Sequence, residues 1–213
     1  MALLVEQQFV QDTYEIIADR FNITRAYLWK GVKEFLNKVP AYSTIVEIGC
    51  GNGKNLLYRK DCINIGFDFC NRFCEICKDK DIESLVANNL SIPLRNNSSD
   101  FVLSIAVIHH LYTEDRRILA LKELVRILKP GGKLLIQVWA LEQPEKSRRK
   151  FLQQDNYVGF NNPEKTMDKK RFYHVFKKGE LEALIQNVPN TMVENIYWEV
   201  GNWVAIVRKS ITR

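Results

Sequence analysis

Glu47-Ile48-Gly49-Cys50-Gly51-Asn52-Gly53-Lys54-Asn55 follows the short β-branched run Thr44-Ile45-Val46 and puts glycine at three alternate positions. Without Cβ atoms, such a stretch lets a ligand lie against bare backbone and accepts positive φ at little cost. A glycine loop alone is a weak signal, and two nucleotide-binding patterns fail on this one. The dinucleotide fingerprint G-x-G-x-x-G needs glycine where Lys54 stands, and a P-loop needs a longer loop ending in Lys followed by Ser or Thr.

Working outward, the runs 44–48, 63–67, 85–87, 101–105 and 134–138 are short, apolar and mostly rich in β-formers, as expected of buried parallel strands. Between the last two, 113–128 reads as a crossover helix, with Thr113 as N-cap, Glu114 and Asp115 in the first turn and Pro130-Gly131-Gly132 as the stop. Apolar residues recur near helical spacing over 5–21 and 25–39, and a further helix is expected over 179–187. The extended runs 191–200 and 203–208, joined at Gly201-Asn202, close the chain as an antiparallel hairpin. Five parallel strands plus that hairpin describe a Rossmann-like α/β domain, a seven-stranded, mostly parallel sheet with an antiparallel last strand, as in class I methyltransferases. One domain over 1–213 is expected, with helices in 1–40 contributing to an acceptor site and a basic insertion at 141–178.

In such a sheet ligands bind at the carboxyl ends of the strands. Asp68 stands there about 20 residues beyond the first glycine, where a carboxylate can accept from both hydroxyls of a ribose. Glu47, just ahead of the glycines, would repel a pyrophosphate but suits an amino-acid moiety and a sulfonium cation. Asn88-Asn89 can pair with an adenine edge. The cofactor these residues imply is S-adenosyl-L-methionine, held by Glu47, Gly49, Gly51, Asn52, Gly53, Asp68, Asn88, Asn89 and Ala106.

Composition bounds the rest. No apolar run approaches the ~20 residues needed to cross a bilayer and the first thirty residues lack a signal-peptide pattern, so a soluble cytoplasmic or nuclear protein is expected. The formal net charge is +6. Residues 142–178 carry ten Lys/Arg against five Asp/Glu, and an excess of that kind beside a ligand site favours a polyanionic partner over a merely solvated face. Cys70-x-x-x-Cys74-x-x-Cys77 has the spacing of an iron–sulfur motif. It follows a strand, however, with Phe73 and Ile76 interleaved, and i, i+4, i+7 is the buried face of a helix, so core thiols and no metal are expected.

Ile105-Ala106-Val107-Ile108-His109-His110, Arg116-Arg117, Val138-Trp139-Ala140-Leu141-Glu142-Gln143 and Phe172-Tyr173-His174-Val175-Phe176 resemble the eukaryotic tRNA carboxymethyluridine methyltransferase family, as do Tyr14, Phe21, Thr24-Arg25 and Trp29 near the start. The resemblance runs nearly the whole chain. It implies methyl transfer to the carboxylate of 5-carboxymethyluridine at the wobble position (U34) of the tRNA anticodon loop, giving the methyl ester, in a heterodimer with a small zinc-binding adaptor subunit. Standalone members of the family consist of this domain, and an animal relative adds oxygenase and RNA-recognition domains.

On this reading Arg25 and Arg116 contact phosphate or carboxylate, Trp29 and Trp139 stack on a base or wall the pocket, and His110 with His174 position the acceptor. The sequence departs from the family at Asn88, where Asp is expected, and at Val158-Gly159-Phe160, where Val-Pro-Trp is expected. The third strand is a sheet edge in this topology, so Ile82, Leu85 and Val86 are candidate adaptor contacts. Two other readings stand beside it: a small-molecule methyltransferase of the same fold, and a non-catalytic RNA-binding scaffold that has lost its chemistry.

Overall fold

The computed structural model describes residues 1–25, 27–160 and 169–211. Glu164, Lys165 and Asp168 of the basic insertion therefore lie outside the described residues. Helices α1 (Ala2–Glu6), α2 (Asp12–Thr24) and α3 (Lys30–Asn37) come first, with a π-helical turn at Gln7–Gln11 joining α1 to α2. Then follow β1 (Thr44–Ile48), β2 (Ile63–Asp68), α4 (Asn71–Lys78), β3 (Ser84–Val86), β4 (Ser99–Ile105), α5 (Glu114–Ile127) and β5 (Leu128–Trp139). The last third holds β6 (Asp155–Gly159), β7 (Lys170–His174), α6 (Glu180–Gln186), β8 (Thr191–Glu199) and β9 (Asn202–Lys209).

Seven strands form one sheet in the order β3-β2-β1-β4-β5-β9-β8. Strands β1 to β5 pair in parallel, and β9 enters antiparallel between β5 and β8. This is the class I methyltransferase sheet. Alternation along the strands divides the core into two layers. Val46, Ile48, Val102, Leu134 and Ile136 pack with Leu121 and Leu124 of α5 and Leu181 and Leu184 of α6. Ile45, Leu103 and Leu135 pack on the other face with Val32, Phe35 and Leu36 of α3. Glu47, between Val46 and Ile48, therefore emerges on the α3 side, at the end of β1.

Three features differ from expectation for a local reason, and the helix expected over 25–39 is shorter, α3 covering Lys30–Asn37. The glycines at 131 and 132 do not end the crossover: α5 stops at Ile127, and β5 starts at Leu128. Gly131, at φ +82°, lies within a bulge, because Ser99 pairs with Leu128 but Phe101 already pairs with Lys133. The closing turn is Val200-Gly201, both at positive φ, one residue earlier than the glycine and asparagine suggested. The basic insertion contains a second, two-stranded sheet, β6 with β7, in which Asp155 pairs with His174 and Gly159 with Lys170. Only Tyr157-Val158 carries any β signal in β6, which is why periodicity misses it.

Four of the five cysteines are buried, and Cys62 is half-buried. Cys70, Cys74 and Cys77 are buried around α4, and burial raises the Cys74 thiol to about 11 and the Cys70 thiol further. Among the described residues no group of three His, Cys, Asp or Glu side chains is arranged to hold a metal ion.

Candidate active site

A cavity of about 730 Å³ opens over the carboxyl ends of β1, β2, β4 and β5 and is covered by α1, the π turn and α2. Its two ends differ in chemistry. At the first, Gly49 (φ +72°) lets the chain leave β1 sharply: a Cβ there would sit 2.3 Å from the Val107 side chain. Gly51 (φ +53°) is bare for another reason. A Cβ on it would meet nothing within 4 Å, since it faces the cavity.

Two carboxylates flank this loop. Glu47 is buried, and its Oε1 accepts from Asn55 Nδ2 at 2.6 Å while Oε2 has no partner among the described residues. Burial pushes its pKa up to about 8. Asp68 accepts the Gly51 N–H at 2.8 Å on Oδ2 and the Cys70 N–H at 2.9 Å on Oδ1, so it holds the loop and the entry to α4 together. Burial raises Asp68 to about 6 against those hydrogen bonds. Asn88 and Asn89 line the cavity just past β3, and Asn88 Oδ1 accepts from the Leu90 N–H, which leaves its amide group as the donor. Ala106 closes the floor in a left-handed conformation (φ +61°) and donates its N–H to Gln137 O. Gly53 is different: it lies against Ile82 and Cys77, and a Cβ there would clash with Ile82 at 2.3 Å.

Asn52 has a different task from the one expected. It lines the cavity, and its amide group lies within hydrogen-bond distance of Asn22 O, Asn22 Oδ1 and Arg25 O, tying the glycine loop to the end of α2.

The second end is lined by His109, His110, Trp139, Arg149, Arg171 and Tyr173, with Tyr14, Phe21, Arg25 and Trp29 from the leading helices. His110 Nδ1 lies 2.6 Å from Phe172 O. A carbonyl only accepts, so the proton sits on Nδ1 and Nε2 accepts from Tyr14 Oη at 3.0 Å. Burial pushes the His110 pKa down to about 3, and the ring is neutral at pH 7. His110 thus holds the Tyr14 hydroxyl at the cavity wall. His109 is wholly buried, and its Nδ1 accepts from the Trp139 N–H at 3.1 Å. Burial holds it well below its usual value, so it is neutral with the proton on Nε2, which has no partner among the described residues.

Trp139 stacks on Tyr173, centroids 4.1 Å apart and planes 13° from parallel, with the Arg149 guanidinium 4.6 Å above the indole. Phe160, at the position where the family pattern leads one to expect Trp, packs 5.4 Å under the Arg171 guanidinium.

Two expected site residues are placed elsewhere. His174 lies outside the cavity lining, with Nδ1 2.7 Å from Asp155 and Nε2 2.6 Å from Glu180, so it fastens β6 to α6 and does not position an acceptor. Arg116 borders the cavity, but its guanidinium forms a two-pronged pair with Glu6 of α1, which also accepts the Tyr112 N–H. That arginine fixes the covering helix. Arg25 reaches the cavity with its guanidinium 5.3 Å from the Phe21 ring.

Arg171 and Arg149 appear in the sequence reading only as charges in a basic stretch. The available signal was the run from Arg171 to Phe176, in which a lone arginine shares a strand face with Tyr173.

Residues 46–136 match the methyltransferase domain family. A tRNA (carboxymethyluridine(34)-5-O)-methyltransferase of Schizosaccharomyces pombe is 36% identical over 99% of this chain and 100% of its own length. The chain belongs to the tRNA carboxymethyluridine methyltransferase family. A Xenopus tropicalis relative with the same enzyme name is 35% identical over 98% of this chain, which spans only 42% of that protein's length. Among solved structures, a putative methyltransferase of Haloferax volcanii in complex with the Trm112 methyltransferase activator superposes with a TM-score of 0.60 at 18% identity, over 96% of this chain and 99% of that one.

Proposed function

We propose that the chain transfers the methyl group of S-adenosylmethionine to the carboxylate of 5-carboxymethyluridine at position 34 of tRNA, forming the methyl ester. The full-length match to the fission-yeast enzyme carries this reading. The donor end fits the cofactor by its own features. Glu47 Oε2 is a buried oxygen without a partner among the described residues and suits a cationic group, Gly51 presents bare backbone to the cavity, and Asp68 and Asn88 line the same cavity with an acceptor and a donor that would suit a ribose and an adenine.

When bound, the cofactor supplies an electrophilic methyl group on a positively charged sulfur. The rest of the chemistry falls to positioning. A carboxylate is ionised at neutral pH and would need no base to attack, so the task of the chain's own residues is to align it with the donor. The acceptor end is built accordingly: His109 and His110 are neutral with their ring lone pairs already engaged, and burial holds the Tyr173 phenol well above its usual range. Among the described residues this end offers no free imidazole to deprotonate an alcohol or amine, which disfavours a general small-molecule methyltransferase. It can align an acceptor already charged.

The adaptor is assigned to the β3 edge, where Leu85 and Val86 are 54% and 50% exposed. Ile82 drops out of that surface, being 8% exposed and packed against Cys77. The activator complex of the Haloferax volcanii neighbour supports an adaptor of this kind. The test is incubation of the protein, with and without a candidate zinc-binding adaptor, with tRNA carrying carboxymethyluridine, followed by nucleoside mass spectrometry. Ester at position 34 supports the reading. Methylation confined to small metabolites, or donor binding with no transfer in either arm, would overturn it.

A further inference from the structure

Arg171 is 2% exposed, yet among the described residues no carboxylate pairs with its guanidinium. Its Nε has no hydrogen-bond partner there, and its nearest polar contact is a long one, Nη1 to Tyr14 Oη at 3.5 Å. Aromatic rings hold it instead: Tyr173, Phe160 and Tyr14 have centroids 5.3, 5.4 and 5.8 Å from the guanidinium carbon. Ring faces offset only part of the cost of burying a cation, so the site is left short of negative charge.

Among the described residues the nearby acids do not supply it. Glu6 is committed to Arg116, while Glu47 and Asp68 stand at the glycine-loop end of the cavity. Arg149 and Arg25 border the same cavity and add positive charge. A second donor without a partner among the described residues, the buried His109 Nε2–H, belongs to a ring that borders the same end, its centroid 4.9 Å from that of Tyr173. The two donors, one charged and one neutral, suit an anionic oxygen at this end of the cavity.

We infer that Arg171 is the specificity-determining residue of the acceptor pocket, holding one oxygen of the substrate's carboxylate while the other faces the methyl donor, so that the protein discriminates an acid from the neutral amide of equal size. This rests on the function proposed above and deepens it. Aromatic walls favour a planar base in general. A buried cation with no carboxylate partner among the described residues distinguishes a carboxymethyl from a carbamoylmethyl substituent, because the amide carries no charge to offset the buried guanidinium and would turn an N–H donor toward it.

The test uses the full chain with its adaptor, saturating S-adenosylhomocysteine, and two anticodon stem-loops identical except for a carboxymethyl or a carbamoylmethyl group on uridine 34. Binding is measured by fluorescence anisotropy for the wild-type protein, R171Q and R171K. The wild type is expected to prefer the acid by about tenfold or more, R171Q to lose the preference, and R171K to recover part of it. In turnover with the acid substrate, R171Q should raise KM and lower kcat with donor affinity unchanged.

Equal wild-type affinity for the two stem-loops overturns the inference without any variant, and so does an R171Q protein that still discriminates. Equal weakening of both stem-loops in R171Q also overturns it, since that would make Arg171 a phosphate contact. If the wild type forms the ester in any of these cases, the proposed function survives the loss of the inference. If it neither binds nor modifies either RNA, both fall.

Discussion

The donor end and the acceptor end of the cavity are built by different means. The donor end is mostly backbone: three left-handed glycines within five residues and two carboxylates, one abutting the loop and one at the tip of the neighbouring strand. The acceptor end is mostly side chain, contributed by Tyr14, His109, His110, Trp139, Arg149, Arg171 and Tyr173 from four separate parts of the chain. A backbone site is specified by one short stretch and tolerates little change. A side-chain site is spread over the whole fold, so single substitutions should retune it without dismantling it.

The largest effect expected from this contrast is at Gly51. G51V puts a branched side chain into the space a ligand needs, at a φ of +53° that β-branched residues rarely adopt. Because no protein atom lies within 4 Å of the new Cβ, the fold should survive at a cost of about 1–2 kcal/mol from the backbone conformation. S-adenosylhomocysteine affinity by calorimetry should nonetheless fall about a hundredfold or more, about 2.8 kcal/mol at 1.4 kcal/mol per decade. Retained affinity would mean that the donor does not lie on this loop.

Glu47 gives the next largest effect, and it depends on pH. In the ligand-free protein its pKa is raised to about 8 from 4.5 by burial, so at pH 7 the carboxyl is mostly protonated. A folded-state pKa above the unfolded one contributes stability at low pH that is lost as pH rises from about 4.5 through 8. E47Q removes that loss, and its melting temperature should exceed that of the wild type above pH 8 by an amount reflecting up to a few kcal/mol. The same substitution should weaken donor binding at least about tenfold, because the bound cation needs the ionised form. Wild-type binding should release a proton near pH 7, visible as buffer-dependent heat. No buffer dependence would show that Glu47 does not meet the cation.

The same contrast explains what could be read from sequence. Strands β1, β2, β4 and β5, helix α5 and the sheet order follow from β-branched runs and helix caps, and the donor end from one contiguous stretch with Asp68 at a fixed remove. The roles of Asn52 and Arg116 were not legible, since their partners, Asn22 and Glu6, sit on helices whose placement is tertiary. Resemblance brought His110 and Trp139 forward, but the tautomer of His110 depends on the Phe172 carbonyl of β7, whose partner strand β6 has almost no β signal. Arg171 was hidden for the opposite reason. It lies among lysines that are exposed, and a charge count cannot tell a solvated cation from one buried 2% exposed against aromatic rings.

His174 supplies the smallest expected effect. It sits three strand positions from Arg171, and neighbouring β7 residues point to opposite faces, so Arg171 and Tyr173 look into the cavity while His174 looks away. Its partners Asp155 and Glu180 make it a clasp between β6 and α6. H174Q keeps one hydrogen bond of the two and should cost about 1 kcal/mol of stability, read as a small downward shift of the denaturant midpoint. Donor affinity, KM and the preference for acid over amide should all stay within about twofold, below 0.5 kcal/mol on the same scale. If H174Q instead shifts KM while stability holds, then the clasp sets the register of β7, and with it the aim of Arg171. The acceptor end would then be tuned from behind its own wall, and the division between the two faces of β7 would be less sharp than the hydrogen bonds of His174 make it.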